Sequence, residues 1–218
     1  MASSVYMFDA YGTLFDVHAA VRQHADKVGP DHALVSDIWR QKQLEYTWMR
    51  TMIGRYEDFW GLTQQSLDYA LARVPSANAD ARSDLLDAYW TLACFEEVPA
   101  VLGKLKEEGK TVGILSNGSP AMLFAAVRSA GLEQVMDHTI SVDQIGRFKT
   151  VPEVYQLVLD TCGVKPQDVS FQSSNRWDIA GAKAFGFHTV WINRTQQPDE
   201  YFDLPPDEVL SDLRGLLP

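Results

Sequence analysis

Three observations on the amino-acid sequence predict an α/β fold, a parallel sheet with helices on both faces, carrying an inserted all-helical segment. Short apolar, β-rich runs alternate with amphipathic helical stretches through the second half of the chain. A long stretch before them shows helical periodicity and no strand. A single apolar run, "VYMFD", stands alone at the start and ends on a carboxylate, Asp9. An ionised aspartate at the tip of a buried strand needs hydrogen bonds or a cation, so this run asks for partners from elsewhere in the chain.

In order, residues 5–9 read as the first strand. Residues 17–95 read as the helical insert, from stretches such as "LVSDIWRQKQLEYTWMRTMIG" and "YEDFWGLTQQSLDYALARV". Trp39, Trp48 and Trp60 fall at helical positions there and read as packing residues. The helix "PAVLGKLKEEG" has Pro99 near its start and Gly109 as its stop, and strand 111–116 ("TVGILS") follows. "SPAMLFAAVRSAG" has Ser119 as N-cap, Pro120 at the first helical position and Gly131 past its end. Strand 138–142, the helix "VPEVYQLVLDTCG", strand 169–173, the helix "DIAGAKAFG" and strand 188–192 complete the alternation. The tail "DLPPDEVLSDLRGLLP" reads as a loop and one short closing helix. The expected division is 1–16 with 96–218 as one unit and 17–95 as the insert, joined near Phe15–Asp16 and Glu96–Pro99.

Composition narrows the function classes. The chain has 218 residues, 46% hydrophobic and 22% charged, which suits a globular protein with a real core. Its net charge of −10, with Lys and Arg scattered, argues against nucleic acid and anionic membrane as partners. No apolar run is long enough to cross a bilayer, and "MASSVYMFDA" lacks a secretory leader pattern. Cys94 and Cys162 are the only cysteines and read as reduced, buried thiols, so a cytoplasmic location is expected. An anionic substrate would meet an unfavourable global field. One cation about 4 Å away contributes roughly 4 kcal/mol at an effective dielectric of 20, so one or two basic side chains could reverse that.

In a parallel α/β sheet ligands bind beyond the carboxyl ends of the strands. Asp9, Ser116 and Ser173 all occupy such ends and should converge on one crevice beneath the helical insert. Taken singly each is unremarkable: an aspartate in a turn, a serine in a turn, a serine before a helix start. As an ordered set they are not. Asp9-Ala10-Tyr11-Gly12-Thr13, then Ser116-Asn117-Gly118, then Lys149, then "SSNRWD" at Ser173–Asp178 resemble the motifs of the haloacid dehalogenase superfamily. "WRQKQLEYTW" in the insert and "SSNRWD" are similar to its L-2-haloacid dehalogenase (type II 2-haloacid dehalogenase) branch.

That resemblance implies a Rossmann-like catalytic core with a helical cap, and a hydrolase that converts L-2-haloacids to 2-hydroxy acids and halide. It implies no cofactor and no metal, a small 2-haloacid as the ligand, and a homodimer. Asp9 would be the nucleophile, held ionised and oriented by Lys149, with Thr13 in support. Ser116 and backbone N–H groups beside Tyr11 would hold the substrate carboxylate. Arg40, Gln41 and Leu44, at spacings of one and four on a cap helix, are expected to share one face. Arg40 and Asn117 would receive the halide beside Phe59. Ser173, Asn175 and Asp178 would place and activate the hydrolytic water, and Tyr155 and Trp177 match supporting positions. Phosphatases of the superfamily carry D-x-D, whose second Asp is the general acid. Tyr11 stands there in this chain. A halide leaving group needs no proton donor and displacement at carbon needs no metal clamp, so Tyr11 favours carbon–halogen cleavage. The family often shows Tyr-Lys-Pro where this chain has Phe148-Lys149-Thr150. Two alternatives stay open on the residues: a hydrolase of another small 2-substituted carboxylate such as azetidine-2-carboxylate, and a non-catalytic binding member of the fold.

Overall fold

The computed structural model describes residues 3–217. Among them one parallel sheet runs through β1 (Val5–Phe8), β2 (Thr111–Ser116), β3 (His138–Ser141), β4 (Val169–Ser173), β5 (His188–Ile192) and β6 (Glu208–Leu210). Its spatial order is β3-β2-β1-β4-β5-β6. The strand order therefore reverses at β1, which pairs with β2 on one side and β4 on the other. That reversal opens the crevice in which such sheets hold ligands, and Asp9 is the first residue past β1. Its backbone N–H makes one further ladder bond, to the Gln172 carbonyl at 2.9 Å.

β1, β2 and β4 read as apolar runs because both faces of a central parallel strand are covered. Met7, Phe8, Ile114, Leu115 and Phe171 are fully buried. The covering helices are α6 (Val98–Glu107), α7 (Pro120–Ser129), α8 (Pro152–Cys162) and α9 (Arg176–Phe185). Ser119 occupies the N-cap of α7, although its hydroxyl makes no capping bond. β3 stops at Ser141, whose Oγ accepts from Asp143 N and turns the chain into a short 3-10 helix, Val142–Gln144.

The tail departs from the expectation of a loop and one helix. Glu208–Leu210 forms the sixth strand, paired with Val190–Ile192, before the 3-10 turn Leu213–Leu216. A three-residue edge strand with exposed Glu208 and Val209 has no alternation to read. Cys94 and Cys162 are free but half-buried rather than buried. No described helix is long and apolar enough to cross a membrane.

The cap lies between β1 and α6 and holds α1 (Ala19–Gln23), α2 (Ala25–Val28), α3 (His32–Met52), α4 (Phe59–Arg73) and α5 (Arg82–Trp90), with no strand. In α3 the buried Val35, Trp39, Gln43 and Thr47 recur every four residues, one stripe of a 3.6-residue helix, and face α4. Trp39 is core packing and Trp60 packs on Trp90. The segments leading into and out of the cap run side by side: Phe95 N donates to the Leu14 carbonyl and Asp16 N to the Ala93 carbonyl, each at 3.0 Å.

Candidate active site

The opening carboxylate has its partners. Asp9 is 5% exposed, and Lys149 Nζ donates to its Oδ1 at 3.0 Å. Oδ2 accepts from Asn175 Nδ2 at 2.7 Å, Thr13 Oγ1 at 3.2 Å and Ser173 Oγ at 3.4 Å. Each donor follows from local structure. Thr13 lies in the turn that leaves β1, where Leu14 N and Phe15 N both donate to the Ala10 carbonyl. Ser173 ends β4, and Asn175 is the N-cap of α9. Asn175 makes no capping bond: its Nδ2 donates to Asp9 and its Oδ1, the atom that would cap, accepts from Arg40. Gly12 has φ +96°, a left-handed conformation that suits glycine, and brings the turn against Arg40 and Asn175.

Lys149 bridges two acids. Its ammonium also donates to Asp178 Oδ2 at 2.8 Å, and it is 1% exposed. Burial alone pulls the lysine pKa down, but the Asp178 and Asp9 carboxylates outweigh it and hold the group above the ordinary lysine value. Asp178 lies in the first turn of α9 and is fully buried. Burial pushes its carboxyl up to about 6 against the opposing pull of Lys149. Tyr155 donates its hydroxyl to Asp178 Oδ1 at 2.9 Å, and burial keeps that phenol neutral by raising its pKa well above 10. The Tyr155 hydroxyl lies where a side chain at Gly181 would have to sit.

Across the crevice, Ser116 Oγ accepts from Gly118 N at 3.0 Å, which leaves its proton free to donate. Asn117 Oδ1 accepts from Lys149 N at 2.9 Å, so its Nδ2 is the end left for a ligand. A side chain on Gly118 would come within 2.7 Å of Cε2 of Tyr11, so only glycine lets that ring lie against the turn. Tyr11 is buried between Phe59 and Tyr89, with ring centroids 5.6 Å from each, and its hydroxyl has no hydrogen-bond partner among the described residues.

From the cap, Arg40 of α3 donates through Nη2 to the Tyr11 carbonyl at 3.0 Å and to Asn175 Oδ1 at 3.3 Å. A cavity of about 710 Å³ opens beside this contact, with Arg40, Leu44, Asn175 and Trp177 in its wall. Trp177 meets Trp48 of the cap edge-to-face, centroids 5.6 Å apart. The structure thus brings Asp9, Thr13, Arg40, Lys149, Tyr155, Ser173, Asn175 and Asp178 into one bonded cluster, with Tyr11, Ser116, Asn117 and Phe59 packed around it. Gln41 is the exception. It is exposed and makes no side-chain hydrogen bond, because one residue along a helix rotates the side chain by about 100° away from Arg40. Gln43, three residues on, takes the place beside Arg40 instead, and Thr63 and Tyr89 join it. The (i, i+3) spacing from Arg40 within "WRQKQLEYTW" is the signal that points to Gln43.

The family model of the haloacid dehalogenase-like hydrolases matches residues 4–186. The chain belongs to this family. It is 48% identical over 211 residues to (S)-2-haloacid dehalogenase 1 of Pseudomonas sp. (strain CBS-3), covering 96% of this chain and 93% of that one. It is 44% identical over 213 residues to (S)-2-haloacid dehalogenase 4A of Burkholderia cepacia, covering 97% and 92%. Among solved structures, the L-2-haloacid dehalogenase of Xanthobacter autotrophicus with chloropropionic acid covalently bound superposes with a TM-score of 0.90 at 34% identity, over 99% of this chain and 97% of that one. As a haloacid dehalogenase-like hydrolase, this chain combines the parallel core and helical cap with Tyr11 two residues after Asp9. The formal charges of Asp9, Asp178, Lys149 and Arg40 cancel, so an anionic ligand would meet a neutral site despite the acidic chain.

Proposed function

We propose that this chain is an (S)-2-haloacid dehalogenase, which hydrolyses L-2-haloacids, short 2-haloalkanoic acids, to 2-hydroxy acids and halide through an ester of Asp9. The observation that carries the reading is a buried carboxylate gripped by Lys149 and faced by Arg40, with Tyr11 where a phosphatase needs its acid. The similarity to (S)-2-haloacid dehalogenases over nearly the whole chain supports it.

The hydrogen bonds support different roles for the two oxygens of Asp9. Oδ2 is held by three donors and Oδ1 by Lys149 alone, so Oδ1 attacks. The Oδ1–C2 bond forms as the C2–halogen bond breaks, and the bonding pair leaves with the halide toward Arg40 and Asn117 Nδ2. The Ser116 hydroxyl and the turn N–H groups hold the substrate carboxylate. Asp178, ionised at neutral pH, then takes a proton from water, and the hydroxide adds to Cγ of Asp9. Negative charge appears on Oδ2, where Thr13, Ser173 and Asn175 already point donors at it. Collapse of the adduct expels the alkoxide of the 2-hydroxy acid, which takes up the proton Asp178 gained, and Asp9, left as its acid, releases the second water proton to solvent.

Residues 1–16 and 96–218 act as the catalytic core and 17–95 as the cap, a division supported by the paired segments at the junction. The enzyme works without metal, on the argument from Tyr11. The free cysteines support a cytoplasmic setting. The exposed Met49, Met52 and Ile53 at the end of α3 give an apolar face that supports a homodimer. The deciding experiment is turnover of (S)-2-chloropropionate in heavy-oxygen water. In a single turnover the label should enter Asp9 and not the product, and the product should be (R)-lactate. Label in the first product, or retained configuration, would mean that water attacks carbon directly or that two displacements occur, and the ester scheme would fall.

A further inference from the structure

Gln43 lies one helical turn beyond Arg40 on α3 and is 1% exposed. A buried amide must satisfy both a carbonyl and an N–H₂ group. The Thr63 hydroxyl donates its one proton to the Phe59 carbonyl at 2.7 Å, so toward Gln43 it can only accept. It does so from Nε2 at 2.8 Å. That fixes which end of the amide faces which way, and Gln43 Oε1 receives Arg40 Nη1 at 3.1 Å. The reversed amide would set N–H groups against a guanidinium, which has no acceptor. The Tyr89 hydroxyl closes the set at 3.1 Å from Nε2, its ring stacked on Tyr11 at 19° between planes. Trp39 Nε1 donates to the Thr63 carbonyl at 2.9 Å and steadies that turn of α4.

The guanidinium has five N–H donors in a rigid fork. The Tyr11 carbonyl, Asn175 Oδ1 and Gln43 Oε1 each take one, and the remaining donors are left for a ligand. Turning the fork would exchange those free donors for committed ones. Nη2 also reaches Asn175, whose amide donates to Asp9 Oδ2 at 2.7 Å. An unbroken run of bonds therefore joins the Thr63 hydroxyl in the cap to the nucleophile in the core.

We propose that Gln43 is a positioning residue of the reaction: its buried amide, oriented by Thr63, aims the Arg40 guanidinium at the leaving group. The proposal rests on the dehalogenase reading for its kinetic consequence, though not for its geometry. Gln43 touches neither substrate nor halide and acts only through Arg40.

Single-turnover release of chloride from (S)-2-chloropropionate tests it, together with the guanidinium N–H resonances of Arg40 in ¹⁵N-labelled protein, assigned with Arg40→Lys. Gln43→Leu should slow the chemical step by about tenfold or more, part of the effect of losing a transition-state donor, with KM changed by less than about twofold. Gln43→Glu keeps an oxygen opposite Nη1 and should recover to within about threefold of the wild type. In an Arg40→Ala background Gln43→Leu should add less than about twofold, because its effect passes through Arg40. The Arg40 resonances should broaden or average in Gln43→Leu. A wild-type rate and unchanged resonances in folded Gln43→Leu overturn the proposal, as does a full loss repeated in the Arg40→Ala background. Should Gln43→Leu not fold, the near-isosteric Thr63→Val, which frees the amide to reverse, decides in its place by the same two readouts. A wild-type protein that releases no halide sinks the dehalogenase reading instead, and the Arg40 resonances in the two variants then decide the role of Gln43.

Discussion

The two halves of the site are held by different physics. On the core side, Asp9, Lys149 and Asp178 are charged and almost fully buried, with both acids bonded to the lysine between them. On the cap side a single charge, Arg40, is held by neutral groups: a backbone carbonyl, two amides and, behind them, hydroxyls and stacked rings. Buried charges hold each other strongly but fail together, since removing one strands the rest without compensation. Neutral directional bonds cost less to break and chiefly set orientation. The core side should therefore respond to substitution in stability and activity at once, and the cap side in activity alone.

The largest test of that contrast is Lys149→Met. It leaves Asp9 and Asp178 facing each other without their shared cation, so stability should fall by about 3–5 kcal/mol in urea unfolding. Halide release should fall below detection. If Lys149→Met unfolds no more easily than the wild type, the triad is not the rigid half. Next is Arg40→Ala, which should lose about a hundredfold in the single-turnover rate while the melting temperature stays near that of the wild type. Arg40→Lys should keep part of the rate, having one charge without the planar fork. Unfolding of Arg40→Ala would erase the distinction between the halves.

The pH profile sharpens the contrast from the core side. In the proposed reaction Asp178 must be ionised to take a proton from water, and burial raises its carboxyl to about 6. Turnover should fall about tenfold per pH unit below that point, in a limb belonging to the coupled cluster as a whole. Asp178→Asn should abolish the limb along with ester hydrolysis. Stability follows the opposite sign. A carboxyl raised in the folded state contributes stability that is fully present below its ordinary value of 3.8 and lost as pH rises through about 6. Lys149, also raised, contributes stability present below 10.5 and lost in more alkaline solution. Comparing urea midpoints of the wild type and Asp178→Asn from pH 4 to 8 reads out the Asp178 contribution. The smallest expected effect is none: exhaustive chelation should leave halide release unchanged, and restoration by magnesium would undo the inference from Tyr11.

The core half was the more legible in sequence for the same physical reason. Asp9, Ser116 and Ser173 follow apolar runs directly, so strand ends and the geometry of a parallel sheet place them together without knowledge of long-range contacts. Lys149 and Asp178 belong to no strand end and were reached through their resemblance to an ordered motif set. The cap half has no such local frame. Arg40 alone looks like any solvated helix residue, and Gln43, though inside "WRQKQLEYTW", carries no charge to single it out there. Gln43 gains its role from Thr63 and Tyr89, which are 20 and 46 residues away. Gln41 faces away from Arg40, because adjacent helix positions point in different directions. β6 escaped because three residues at a sheet edge carry no period.

The paired segments at the cap junction have a consequence for the chain as a polymer. Leu14–Asp16 and Ala93–Phe95 lie one hydrogen-bond step apart, so the insert begins and ends at nearly the same point in space. The core sees the whole cap as a long loop whose mouth is already closed, and the entropy of closing a loop grows only logarithmically with its length. Helices in the cap can be lengthened, exchanged or added without disturbing the spacing of β1 from its neighbours, provided the two ends stay paired. The same scaffold can thus acquire a different roof over an unchanged Asp9, and new ligand preferences can arise from the part of the molecule least able to damage the fold.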